Sequence, residues 1–215
     1  MSDPRTPRPT RAPCFWLSVA GALIGLVLLA VRVTTLPEGG ARPFLVGLVV
    51  ALAVTATLLA ALALRIRSRV RAAAAAYPDA LLIPIAVGTA TAVATRWLAD
   101  RFDDPALHLR PSGYATVAVD SAGVHVVSSP RGRHGHLPAR AVALGPLGRT
   151  IVGMREVDAV VLEVEAGDLT APLSLVPLRL RGNPFRTLGD AELLAVTARL
   201  EDALAGRPVV PGWGY

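Results

Sequence analysis

Two long apolar runs open the chain, and beyond them the hydrophobic period shortens from that of a helix to that of a strand. Residues 14–31 and 43–64 contain no charged side chain. Each is near the roughly 20 residues a helix needs to cross about 30 Å of hydrocarbon, so a transmembrane helical hairpin is expected over 14–64. Residues 65–76 continue the second run as a juxtamembrane helix. Ala72 to Ala76 form helix strongly, and Pro78 ends it. The next apolar stretch, 80–98, is interrupted by Pro84 and Gly88, holds Arg96, and is bracketed by Asp79 and Asp100. It reads as a buried strand over 80–87, a turn at Gly88 and a short helix over 89–101, in preference to a third span.

From Tyr114 onward the apolar residues alternate. Ala115, Val117 and Val119 share one face, Ser121-Ala122-Gly123 turns the chain, and residues 124–127 return. A second hairpin joins 157–165 to a strand with Leu173 and Leu175 through Ala166-Gly167-Asp168. Pro172 and Pro177 point to an edge position for that strand. Residues 139–144 and 150–154 read as short strands about a turn at Gly145-Pro146-Leu147-Gly148. Leu193, Val196, Leu200 and Leu204 recur at helical spacing after a cap at Thr187 or Asp190. Glu192, Arg199, Glu201 and Asp202 form the polar face of that helix, and Gly206 and Pro208 stop it. The expected class is α+β: a membrane hairpin, then an antiparallel sheet closed by a C-terminal helix. The domains are a tail over 1–13, spans over 14–64, the juxtamembrane helix 65–76, a sheet domain over 77–205 and a tail over 206–215.

Charge decides orientation. Residues 1–71 hold nine arginines against Asp3 and Glu38, a net of +7, while 72–215 net −1. Arg5, Arg8 and Arg11 precede the first run; Arg65, Arg67, Arg69 and Arg71 follow the second. Positive charge in short flanks stays cytoplasmic, so both termini are expected inside the plasma membrane and the Pro37-Glu38-Gly39-Gly40 turn outside. The four juxtamembrane arginines do not share a helical face and are expected to ring the helix at the headgroups. The overall charge of +6 is thus a topology signal, and a nucleic-acid-binding surface is not expected. Every basic residue is arginine, a bias suggesting a GC-rich, bacterial coding sequence. Cys14 is the only cysteine, which excludes internal disulfides and cysteine-based zinc sites. Gly21 and Gly25 are four apart, a small-xxx-small spacing suited to close helix packing, with Ala51 and Thr55 as a matching face.

The hairpin Val119-Asp120-Ser121-Ala122-Gly123-Val124, the strand 173–177 and the helix 190–204 together resemble a pleckstrin-homology-like (PH-like) domain. The whole chain resembles small actinobacterial membrane proteins with two N-terminal spans and a cytoplasmic PH-like domain. Two departures stand out: no tryptophan occupies 140–142, and a strand–helix unit precedes the first hairpin. The resemblance implies an interaction or lipid-proximal module without catalysis.

The candidate chemistry is sparse. Arg131, Arg133, His134 and His136 cluster in a Gly/Pro loop, where arginine forks match phosphate or anionic headgroups. A solvated loop is the plainer account. His134 and His136 alone do not make a metal site, since zinc takes three or four ligands. Glu163 and Glu165 share a strand face and read as solvent-facing; Asp103 and Asp104 read as loop residues. No phosphate-binding, nucleophile-elbow, zinc-protease or dinucleotide motif is present. No cofactor, metal, small-molecule substrate or enzymatic activity is expected. The expected role is a membrane-anchored module binding a protein partner, a second copy of the chain or the inner leaflet. The rival is an accessory or scaffold subunit acting through its transmembrane helices.

Overall fold

Valine-rich alternation builds an antiparallel sheet in the computed structural model, which describes residues 25, 31, 41–179 and 186–207. The first apolar run, apart from Gly25 and Val31, lies outside the described residues, as do Gly21, the 37–40 turn and residues 208–215. The chain divides between Leu64 and Arg65 into two compact units.

Helix α1, Ala41–Ala76, passes through that boundary. Residues 45–76 are apolar and long enough to cross a membrane. In the first unit, Leu48, Val50, Val54 and Leu58 are exposed. The hydroxyls of Thr55 and Thr57 donate to the carbonyls of Ala51 and Ala53, each at 2.8 Å, so neither polar group needs water. A Cβ at Gly25 would meet nothing within 4 Å.

In the second unit, β1 (Leu81–Ala86) is followed by α2 (Thr89–Arg101), as the sequence predicts for this stretch. The hairpin β2 (Tyr114–Asp120) and β3 (Gly123–Val127) turns through Gly123 at φ +142°. A Cβ there would stand 2.0 Å from the Leu137 carbonyl oxygen, so only glycine fits. Next come β4 (Gly135–Pro138), β5 (Val142–Leu144), β6 (Gly148–Val152), β7 (Arg155–Ala166), β8 (Leu169–Pro177) and α3 (Asp190–Leu204). The order is β4-β3-β2-β1-β8-β7-β5, with β6 paired to β7, and every pairing is antiparallel.

Several expectations need correction. Residues 139–144 are a strand only from Val142; Ala139–Ala141 is a 3-10 turn, with the Ala139 amide bonded to the Ala122 carbonyl. Strand β4 replaces part of the expected loop. Gly189, in place of Thr187 or Asp190, caps α3, and the Glu192 carboxylate accepts from its amide at 3.0 Å. Arg199, Glu192 and Asp202 of the polar face are half-buried, and Glu201 is exposed. Strand β8 is an edge over most of its length: β1 meets it only at Ile85↔Pro177 and Ala86↔Val176. Below that contact the carbonyl of Pro84 accepts from Leu178. The missing Pro84 N–H faces the same side, where strand pairing has ended, which explains how β1 tolerates proline.

Alternation in β2 predicts one wet face, yet residues 115–119 are all buried. The reason is that the sheet is covered twice. Helix α3 lies against β1, β2 and β7 with Leu193, Val196, Leu200 and Ala203 buried. The end of α1 covers the other face: Val70 and Ala73 pack with Leu82, Ala118 and Val127. On that face the guanidinium of Arg69 donates to the Tyr114 carbonyl.

These contacts give α1 a direction on the sheet. Arg69 meets Tyr114, which pairs with Ala86 at the end of β1. Tyr77 stacks on His125, in the register row of Ala118 and Leu82 near its start. Eight helical residues rise about 12 Å, and four strand residues span about 13 Å. The helix thus runs antiparallel to β1. The end of the domain nearest Arg65 carries Ala86, Gly88 and Tyr114; the opposite end carries Tyr77 and His125.

Leu200 is fully buried on α3, whereas its neighbour Glu201 is exposed. Leu200→Asp should lower the melting temperature of the full chain in detergent by many degrees, because an unpaired buried carboxylate costs several kcal/mol of roughly 5–15. Glu201→Gln should leave it within about a degree or two. Equal melts would show that α3 does not close the sheet.

Candidate functional site

Three of the four histidines come together at the end of the domain farthest from Arg65. Antiparallel pairing of β3 and β4 sets His125 opposite His136. Their rings stack, centroids 4.6 Å apart, and the Tyr77 ring stacks on the other side of His125 at 4.2 Å. His134, just before β4, places Nδ1 3.2 Å from the Tyr77 hydroxyl. Tyr77 follows the last residue of α1, so the cluster joins the helix end to β3 and β4.

Hydrogen bonding assigns the protons. Asp120 Oδ1 accepts from the amides of Ala122 and Gly123, holding the β2–β3 turn, and lies 3.3 Å from His125 Nε2. A carboxylate only accepts, so Nε2 of His125 carries the proton. Its Nδ1 then offers a lone pair to His136 Nδ1, 3.3 Å away. Asp104 secures β4 from beneath: Oδ2 accepts from the His136 amide at 2.9 Å, and Oδ1 caps the 3-10 turn Pro105–Leu107. Gly135 is needed for this approach, since a Cβ would stand 2.7 Å from the Leu107 amide nitrogen.

The side chain of His125 is only 12% exposed. Burial pushes its pKa below the ordinary 6.5, and His136 and His134 push the same way; Asp120 opposes them by charge and hydrogen bond. Burial, with a smaller part from Asp120, raises the Tyr77 phenol.

The residues singled out in the sequence separate into distinct places. Arg131 and Arg133 are exposed on the β3–β4 loop, His134 is half-buried against Tyr77, and His136 is exposed on β4. Arg65 and Arg71 are exposed, while Arg67 and Arg69 are partly covered. Glu163 and Glu165 are exposed on β7 as expected. Among the described residues, no group of three or more His, Cys, Asp or Glu side chains is placed to hold a metal ion. Sequence reasoning missed His125, Tyr77 and Asp120. The signal was a histidine inside the alternating Val124-His125-Val126 run, which gains meaning only once β4 is seen to pair with it. No known protein family, curated protein or solved structure matches this chain.

The cluster predicts a pH dependence. The folded state holds the His125 pKa below its unfolded value, so the neutral ring's contribution is complete above about pH 6.5. It is lost as pH falls through the lower folded value. Melting temperature should be flat from pH 8 to 7 and fall below about 6.5. In His125→Phe, which keeps a stacking ring without a titrating group, the fall should be shallower. An unchanged acid limb would show that His125 does not carry the effect.

Proposed function

We propose that this chain is a non-enzymatic, membrane-anchored interaction protein. Two spans, 14–31 and 43–64, hold it in the plasma membrane with both termini cytoplasmic. Its PH-like module over 77–205 binds a protein partner through the Arg131–Arg133 loop. An antiparallel sheet closed by a C-terminal helix supports the PH-like reading. The one helix among the described residues that is long and apolar enough to cross a membrane, residues 45–76, supports membrane association.

The observation that carries the choice of partner is the direction of α1 along β1. Arg65 marks where the apolar part of the helix ends, and Tyr77 lies twelve residues further on, roughly 18 Å along the axis. The headgroup layer adds only about 5–8 Å beyond the hydrocarbon on each side. His134 bonds Tyr77, so the loop just before it stands beyond the headgroups when the helix leaves the bilayer steeply. The exposed guanidinium groups of Arg131 and Arg133 then face the cytoplasm, where their fork geometry suits the carboxylates of an acidic partner.

Reporter fusions after residue 38 and after residue 215 should lie on opposite sides of the membrane. A reporter at 215 found outside would overturn the topology. The full chain, purified in mild detergent, should carry a partner that Arg131→Glu with Arg133→Glu loses by about tenfold or more, because charged hydrogen bonds contribute about 1.5–3 kcal/mol each. Retention of that partner by the charge-reversed chain would move the contact to the spans, as an accessory subunit requires.

A further inference from the structure

The β3–β4 register brings two ring nitrogens within 3.3 Å of each other, Nδ1 of His125 and Nδ1 of His136. An imidazole nitrogen is either a donor or an acceptor, so this contact holds only when one of the two carries a proton and the other does not. Asp120 decides which. Its carboxylate, 3.3 Å away, keeps the proton of neutral His125 on Nε2. The lone pair is then on His125 Nδ1 and the proton on His136 Nδ1. The remaining lone pair of neutral His136 is on Nε2, in an exposed side chain.

The pair therefore answers two protons differently. The first enters at His136 Nε2. The Nδ1–H of His136 still donates to His125, now as a charge-assisted bond, and the contact tightens. Within the pair, a second proton has only His125 Nδ1 to enter. Both rings would then be charged, with centroids 4.6 Å apart and two N–H groups facing each other across 3.3 Å. The groups around His125 determine where the cluster gives way. Asp120 on β2 favours a charged His125, while burial, His136 on β4 and His134 in the loop before β4 oppose it. Tyr77, at the end of α1, stacks on the opposite face of His125 at 4.2 Å, and an aromatic face attracts a cation. A charged His125 thus keeps Asp120 and Tyr77, and the contact with His136 is the one that breaks. Strand β4 stays in register, because Leu137 is fully buried and Asp104 holds the His136 amide.

We infer that the His125–His136 pair is a proton-counting latch at the β4 edge of the sheet. It is closed with none or one added proton and opened by a second, which expels the His136 ring and leaves His125 on Tyr77. His136 follows Arg133 by three residues, so the latch acts at the end of the loop that the proposed partner contact uses. That consequence rests on the interaction-module reading; the latch itself is read with no partner present.

The test is nuclear magnetic resonance of the full chain in mild detergent, with isotope labels in the histidine and tyrosine rings. Each histidine is assigned by its loss from the matching histidine-to-glutamine variant. At pH 8 the proton should be on Nε2 of His125 and on Nδ1 of His136. On acidification His136 should titrate first, and the two steps should be split by more than about one pH unit, the mark of coupled sites. The His125–His136 ring contact should survive the first step and vanish at the second, while the His125–Tyr77 contact persists. In His136→Ala the His125 step should move up by about one pH unit. Loss of the ring contact at the first step, or a His125 step unmoved in His136→Ala, would overturn the latch. Far-ultraviolet circular dichroism should not change through the second step; a loss of strand signal there would mean unfolding in place of opening, and would also overturn it.

Discussion

The last turns of α1 lie along β1 and cover one face of the sheet, and most of the domain's architecture depends on that packing. Without it Leu82, Ala118 and Val127 would form an apolar face open to water. Burying Val70 alone is worth on the order of 2 kcal/mol, a sizeable part of a typical domain's roughly 5–15 kcal/mol. The same contact transmits direction. Because the helix runs antiparallel to the strand, the domain has an end near Arg65 and an end near Tyr77, and each surface feature acquires a place between them.

That polarity separates two groups of side chains that composition would treat alike. Arg65, Arg69, Arg131 and Arg133 are all arginines near the end of α1 in sequence or in space. Arg69 is engaged by the Tyr114 carbonyl, bracing the helix against β2. Arg131 and Arg133 stand at the far end beside the histidine cluster. Arg65 alone of these is both exposed and adjacent to the apolar part of the helix. Burial in β2 has the same origin. Its alternation predicts an open face, but the end of α1 occupies that face, so Thr116 and Ala118 are as buried as Val117 and Val119.

How far this was legible in the sequence depended on whether the signal was local. Pro84, Gly88 and Arg96 interrupt the stretch 80–98 wherever it is placed, so its strand and helix could be read directly. The hairpin about Gly123 and the leucine periodicity of α3 were equally local. Strand β4 was not, because Gly-His-Leu-Pro carries no alternation long enough to notice and is held by pairing to β3 and by Asp104 from elsewhere. The histidine cluster disappeared with it: His125 and His136 are eleven residues apart and meet only through that register.

The histidine cluster and the β6–β7 turn differ in what they demand of their residues. The cluster at Tyr77 is tightly specified: Asp120 serves the turn and His125 together, Gly135 has no room for a side chain, and a proton on His125 Nδ1 would remove the lone pair that His136 uses. Such a site constrains the fold first, and its position at the helix end ties the order of the Arg131 loop to the seating of α1. Met154, in that turn, is the opposite case. It packs against nothing, so the fold places no demand on its identity, and many polar residues would serve a turn exposed to water equally well.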